Sequence, residues 1–131
     1  MKRLEKLLES RESENSGPVS SADIQKHEKN LGLQFGPKYK QFVSKYGCLV
    51  SGANELYGVC GDNKSIPSAI HATLSARRDS QFPLNLLVIG DDGSGRKFCV
   101  DSKDEVFRWD RHLFERTGQS FEDFAVEWLG A

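Results

Sequence analysis

At 131 residues, 37% of them hydrophobic and 10% aromatic, the chain has the size and apolar content of one domain that folds without a disulfide or metal staple. Its 18 Lys/Arg and 19 Asp/Glu leave a formal charge of -1, which disfavours broad electrostatic capture of nucleic acid or of an anionic membrane. No apolar run approaches a membrane span, no apolar segment follows the basic start at Met1-Lys2-Arg3, and Cys48, Cys60 and Cys99 lack C-x-x-C spacing, so a reducing, cytoplasmic location is expected.

In chain order, Leu4, Leu7 and Leu8 fall at helical spacing and predict one or two turns of helix, which break in the polar run to Gly17-Pro18. Residues 1–18 therefore form a peripheral helix and loop on a single domain covering 1–131. Ser20 with Asp23 resembles a capping box and opens a second helix, striped by Ile24 and Leu31 and ended by Gly32. Pro37 suits the first position of a third helix, in which Tyr39, Phe42, Val43 and Tyr46 form a broad apolar face closed by Gly47. Leu56 to Val59 is a candidate strand and 61–65 a loop. Ser65, Ile66 and Pro67 mark a helix entrance, and Ile70 and Leu74 continue that helix until Gln81-Phe82-Pro83 stops it.

Residues 86–110 read as sheet. Leu86 to Ile89 is an apolar run stopped by Asp91-Asp92-Gly93-Ser94-Gly95, residues that suit tight turns. Phe98-Cys99-Val100 and Val106-Phe107-Arg108-Trp109 follow, separated by Ser102 to Asp104, and the pattern is an antiparallel meander of three short strands. Asp110 to Gly118 is polar and reads as a turn of helix or an irregular crossing. Ser120 and Asp123 repeat the capping arrangement ahead of Phe121, Phe124, Ala125, Trp128 and Leu129, the clearest amphipathic helix in the chain. Helical signals on both sides of the meander give an α+β class: a mostly antiparallel sheet of about four to six strands flanked by helices.

The residues that carry chemistry elsewhere do not converge in this sequence. His27, His71 and His112 sit in different elements with no second ligand type at a recognised spacing, so no metal is expected. The 91–102 segment fails as a calcium loop, because Gly93 stands at the third position, Arg96 at the sixth and Ser102 at the twelfth. It fails as a phosphate loop because no Gly-Lys-Ser/Thr follows and two adjacent carboxylates would repel the anion. Cys99, between Phe98 and Val100, reads as a core thiol. Arg77-Arg78 and Arg96-Lys97 are isolated pairs beside Asp79 and Asp91-Asp92, weak support for nucleic-acid binding.

The order of four blocks resembles the SUKH superfamily, named in part for a yeast cell-wall assembly regulator and containing many bacterial immunity proteins. The blocks are Ile24 to Leu33; Pro37, Tyr39, Phe42 and Tyr46-Gly47; Ile89 to Gly95 with Phe98-Cys99-Val100-Asp101 and Val106 to Asp110; and Ser120 to Leu129. Gly36-Pro37 stands where Leu-Pro is common, and Tyr46-Gly47 where Asn-Gly is common. The resemblance implies a SUKH-like α+β domain with no enzyme activity and no cofactor, acting as an immunity partner that binds and occludes a cognate secreted toxin domain, a nuclease for example. Alternatives are a regulatory or scaffolding interaction domain and a small enzyme acting on a nucleotide or sugar.

Charge adds a surface to that expectation. Residues 1–50 hold nine Lys/Arg and six Asp/Glu, and residues 51–131 hold nine Lys/Arg and thirteen Asp/Glu, so the sheet-bearing part is acidic. Glu55, Asp62, Asp91, Asp92, Asp101, Asp104 and Asp110 are the expected partner-binding residues, facing a basic toxin surface with neither nucleic acid nor membrane as a direct partner.

Overall fold

Seven strands divide between two antiparallel sheets in the computed structural model, which describes residues 1–64 and 67–131. A three-stranded sheet has the order β1 (Glu14–Asn15), β2 (Leu49–Ser51), β3 (Asn54–Leu56), and a four-stranded sheet the order β4 (Leu87–Asp91), β5 (Lys97–Val100), β6 (Glu105–Asp110), β7 (Leu113–Ser120). The α+β class with antiparallel strands and flanking helices holds, distributed over two sheets. They meet where the Tyr57 amide, just past β3, donates to the Ile89 carbonyl of β4 at 2.9 Å.

Among the described residues the helices are α1 (Lys2–Glu9), α2 (Ser21–Leu31), α3 (Pro37–Tyr46), α4 (Ala69–Ala76) and α5 (Phe121–Gly130). The hydroxyls of Ser20 and Ser120 accept from the amides of Asp23 and Asp123 at 3.2 and 3.3 Å, the expected caps of α2 and α5. The entrance expected at Ser65 and Ile66 lies outside the described residues. Within them, α4 is capped by Ser68, which accepts from the His71 amide at 3.2 Å.

The core sits around α5, which touches α1, α3, β2, β3, β6 and β7. Its Phe121 ring meets Tyr39 edge-on at 5.1 Å and lies 5.6 Å from Phe42, and all three side chains are fully buried. Further along the helix, Phe124 and Trp128 pack with Phe98 of β5 at 4.8 and 5.3 Å. Removing these rings from water contributes several kcal/mol in aggregate, at about 25 cal/mol for each Å² of apolar surface. The Trp128 indole N–H donates to the Glu55 carbonyl at 2.9 Å, so the same helix also holds β3.

Two local expectations change. Asp110 to Gly118 is no helix turn or irregular crossing: Leu113–Ser120 is the longest strand, paired with β6 in a register that sets Trp109 opposite Phe114. As an edge strand it alternates half-buried and exposed positions, and its half-buried side chains include Glu115, Thr117 and Gln119, so no apolar alternation marks it in the sequence. The strand expected over Leu56 to Val59 instead ends at Leu56, and Gly58 makes an isolated parallel bridge to Ser68.

Candidate functional site

The acidic residues singled out from the sequence lie at separate places on the fold. Antiparallel pairing carries Asp91, Asp92 and Asp110 to one end of the four-stranded sheet and Asp101 and Asp104 to the other. Glu55 is on β3, and Asp62 lies in the loop beyond it, where its carboxylate accepts from the Lys64 amide at 3.1 Å.

Most of these carboxylates first serve a turn. The Asp91 carboxylate accepts from the Gly93 amide at 2.7 Å, Asp110 from the His112 amide at 2.7 Å, and Asp101 from the amides of Lys103 and Glu105 at 3.0 and 2.9 Å. Asp92 accepts from the Ser94 hydroxyl and amide at 2.6 and 2.8 Å, contacts that hold its carboxyl below the usual carboxylate range.

Asp104 is nearly buried, in place of the exposed position expected of it. It is 7% exposed, adopts a positive φ of 62°, and turns inward so that its two carboxylate oxygens accept from the Lys38 and Tyr39 amides at 2.9 and 3.1 Å. Those are first-turn amides of α3, which have no partner within the helix. Gly36 precedes Pro37 for the same reason: a Cβ there would collide with the Asp104 carboxylate. No sequence pattern announces a cap supplied from 66 residues away.

The end of the sheet that carries Asp91, Asp92 and Asp110 also carries cations. Lys97 lies opposite Asp91 across β4 and β5 and pairs with it at 3.2 Å, Arg96 reaches Asp110 at 3.5 Å, and Arg111 reaches Asp79 at 3.1 Å. The Gln81 amide and the Arg111 guanidinium hold Asp79 below the usual carboxylate range. This end is therefore a mosaic of both signs and not an acidic face. Isolated exposed pairs of this kind stabilise little, typically under about 1 kcal/mol, but they fix where each charge stands.

Between the end of α4, the β4–β5 loop and the β6–β7 turn runs an open groove of about 520 Å³. Arg78, Asp79, Lys97, Asp110, Arg111 and His112 bring charged and titratable groups to it, and Trp109 lies against it. Directly across the strand pair from Trp109, Phe114 is 56% exposed, one of three large hydrophobic side chains so exposed among the described residues. Its ring centre is 5.5 Å from that of Phe107, which keeps it seated against the sheet. An aromatic residue beside a charged groove has the composition of a protein-interaction patch. Sequence reading missed Phe114 because the strand that displays it was not recognised, although the Arg77-Arg78 and Arg96-Lys97 pairs pointed to part of the groove.

Among the described residues, no group of three or more His, Cys, Asp or Glu side chains is gathered to hold a metal ion. No helix among them is long and apolar enough to cross a membrane. Burial, reinforced by Lys26, depresses the pKa of His27 on α2.

The two small antiparallel sheets, gathered around α5, make an α+β domain of SUKH-like architecture. The model of the family described as SUKH_5: SMI1-KNR4 cell-wall matches residues 1–130, and the chain belongs to that family. It is similar to the crystal structure of a protein from Pseudomonas syringae pv. tomato, with a TM-score of 0.78 and 21% identity over 99% of this chain and 98% of that one, a likeness of fold. No curated protein matches the chain.

Proposed function

We propose that this protein is a cytoplasmic immunity protein that binds a cognate secreted bacterial toxin domain, such as a nuclease, and neutralises it by occlusion, without catalysis or a cofactor of its own. Membership of the SUKH_5 family over residues 1–130 carries the reading, since the wider superfamily includes toxin-immunity proteins. The surface supports it in a specific way. Phe114 supplies an exposed aromatic anchor, and Asp91, Asp92, Asp110, Lys97 and Arg111 supply a fixed pattern of both signs beside it. Such a pattern selects one partner by matching charges in register and repels partners whose charges are out of register. Glu55, Asp62 and Asp101 extend the partner face only if the toxin wraps beyond this end of the sheet.

The family description, SMI1-KNR4 cell-wall, favours a second reading as a regulatory interaction domain. The two separate on a growth test. Coexpression with the variable C-terminal domain of a large secreted protein encoded by a neighbouring gene restores growth if the protein is an immunity factor. If the neighbouring domains are toxic and none is neutralised, the immunity reading fails.

A further inference from the structure

Two cysteines twelve positions apart in sequence meet where three stretches of chain converge. The Val59 amide donates to the Gly47 carbonyl at 3.1 Å, and a Cβ on Gly58 would collide with that carbonyl and lie 3.2 Å from the Cys48 Cα. The segments that carry Cys48 and Cys60 are thus in direct backbone contact. Ser16 closes the cluster: its hydroxyl oxygen accepts from the Cys48 thiol at 3.3 Å and from the Cys48 amide at 3.1 Å. The Cys48 thiol and the Ser16 hydroxyl both act on the titration of the Cys60 thiol, Cys48 raising its pKa and Ser16 lowering it. Both cysteines are free thiols. Cys48 is 6% exposed, whereas Cys60 is partly exposed and lines a groove of about 660 Å³ together with His27, Asn30 and Asp62.

We propose that Cys48 and Cys60 form a reversible dithiol latch, closed by a small disulfide oxidant of the glutathione class. The groove admits the oxidant to Cys60 first. The Cys60 thiol loses its proton to solvent and its sulfur attacks one sulfur of the oxidant, releasing one glutathione thiolate and leaving a mixed disulfide. Cys48 then loses its proton and attacks the Cys60 sulfur, which expels the second glutathione. Two protein thiols are oxidised and one glutathione disulfide is reduced to two thiols. The new bond ties the entrance of β2 to the segment beyond β3, beside the loop that carries Asp62. It removes conformational freedom from the unfolded chain far more than from the folded one, where the two segments already touch.

Burial, with the Cys48 thiol beside it, pushes the Cys60 thiol up to about 12, so thiolate is scarce at neutral pH and closure is slow there. Cys99 stands apart, fully buried in β5 with its thiol also pushed up to about 12 by burial.

The test uses the full chain, equilibrated with oxidised glutathione near pH 8, alkylated without reduction, digested with trypsin and weighed. Residues 46–64 form one tryptic peptide holding both cysteines. The expected product is that peptide two hydrogens lighter and not alkylated, with Cys99 still a free thiol. The oxidised protein should melt higher by on the order of 5–10 °C, reversibly with dithiothreitol. Cys48→Ala should show no such rise and should trap glutathione on Cys60, and Cys60→Ala should resist oxidation at Cys48. Persistent glutathione on Cys60 in the unaltered chain, consumption of Cys99, or an unchanged melting temperature after closure would each overturn the proposal.

Discussion

The Tyr39 amide donates to the Asp104 carboxylate at 3.1 Å across 65 residues of chain. The Lys38 amide donates to the other oxygen at 2.9 Å, and the Asp104 carbonyl accepts from the Phe121 amide at 2.7 Å. One residue in the β5–β6 turn therefore fixes where both α3 and α5 begin, the two helices whose Tyr39, Phe42 and Phe121 rings form the aromatic centre.

Asp104→Ala leaves two first-turn amides of α3 without their acceptor and puts a Cβ-only side chain at a positive φ. We expect a loss of about 2–3 kcal/mol of stability in urea unfolding. Asp104→Asn keeps an acceptor and tolerates the backbone conformation, so its loss should be roughly half as large. Equal melting of all three proteins would refute the capping role.

Tyr39 tests the same junction from inside. Its hydroxyl donates to the Tyr57 carbonyl at 2.8 Å in a fully buried setting, and burial raises its pKa well above the ordinary tyrosine value. Tyr39→Phe keeps the ring contacts with Phe121 and Phe35 but leaves that carbonyl unpaired, and should cost about 1–2 kcal/mol in the same unfolding measurement.

Acid should act in two windows. The Arg3 guanidinium holds Asp123 below the ordinary carboxylate value of 3.8, and Ser94 does the same for Asp92. A carboxyl with a depressed folded pKa contributes stability that is complete above its unfolded pKa and disappears as pH falls through the folded one. Below about pH 4 the melting temperature should therefore drop, and Asp123→Asn should shrink that drop. His27 acts higher: its folded pKa lies below 6.5, so as pH falls through 6.5 the unfolded chain takes up the proton first and stability declines. His27→Gln should flatten the melting curve between pH 7 and 5; an unchanged slope would rule out His27 as its source.

Partner affinity should respond at the mixed-charge end of the sheet. Phe114→Ala removes the exposed ring at little expense in stability and should weaken toxin binding by at least about tenfold if it is an anchor. Asp92→Lys should slow association and alter its salt dependence while leaving folding nearly intact. Titration of the purified toxin domain with each variant reads both effects, and wild-type affinity in both would remove this end from the interface.

Much of this fold is legible in the sequence because it rests on local rules. Ser20 and Ser120 cap where a hydroxyl three positions ahead of an acid predicts, Tyr46 and Gly47 close α3, and Leu86 to Trp109 supplies the meander. The missed parts depend on distant partners. Glu14–Asn15 has no strand character of its own and is a strand because β2 offers it an edge. Edge strand β7 is polar enough to hide its period. At the candidate site the acids are visible as turn residues, but their counter-ions are set by register and tertiary contact, as Lys97 opposite Asp91 and Arg111 on Asp79 illustrate. Nothing around Asp104 in sequence reveals that its carboxylate turns inward.

The proposed function requires that a partner protein be bound and silenced by this surface. Its most direct measurement is the activity of the purified cognate toxin domain titrated with this protein. We predict stoichiometric loss of toxin activity with formation of a stable complex, reversed in part by Phe114→Ala. A toxin that stays fully active in the presence of excess protein would contradict the account.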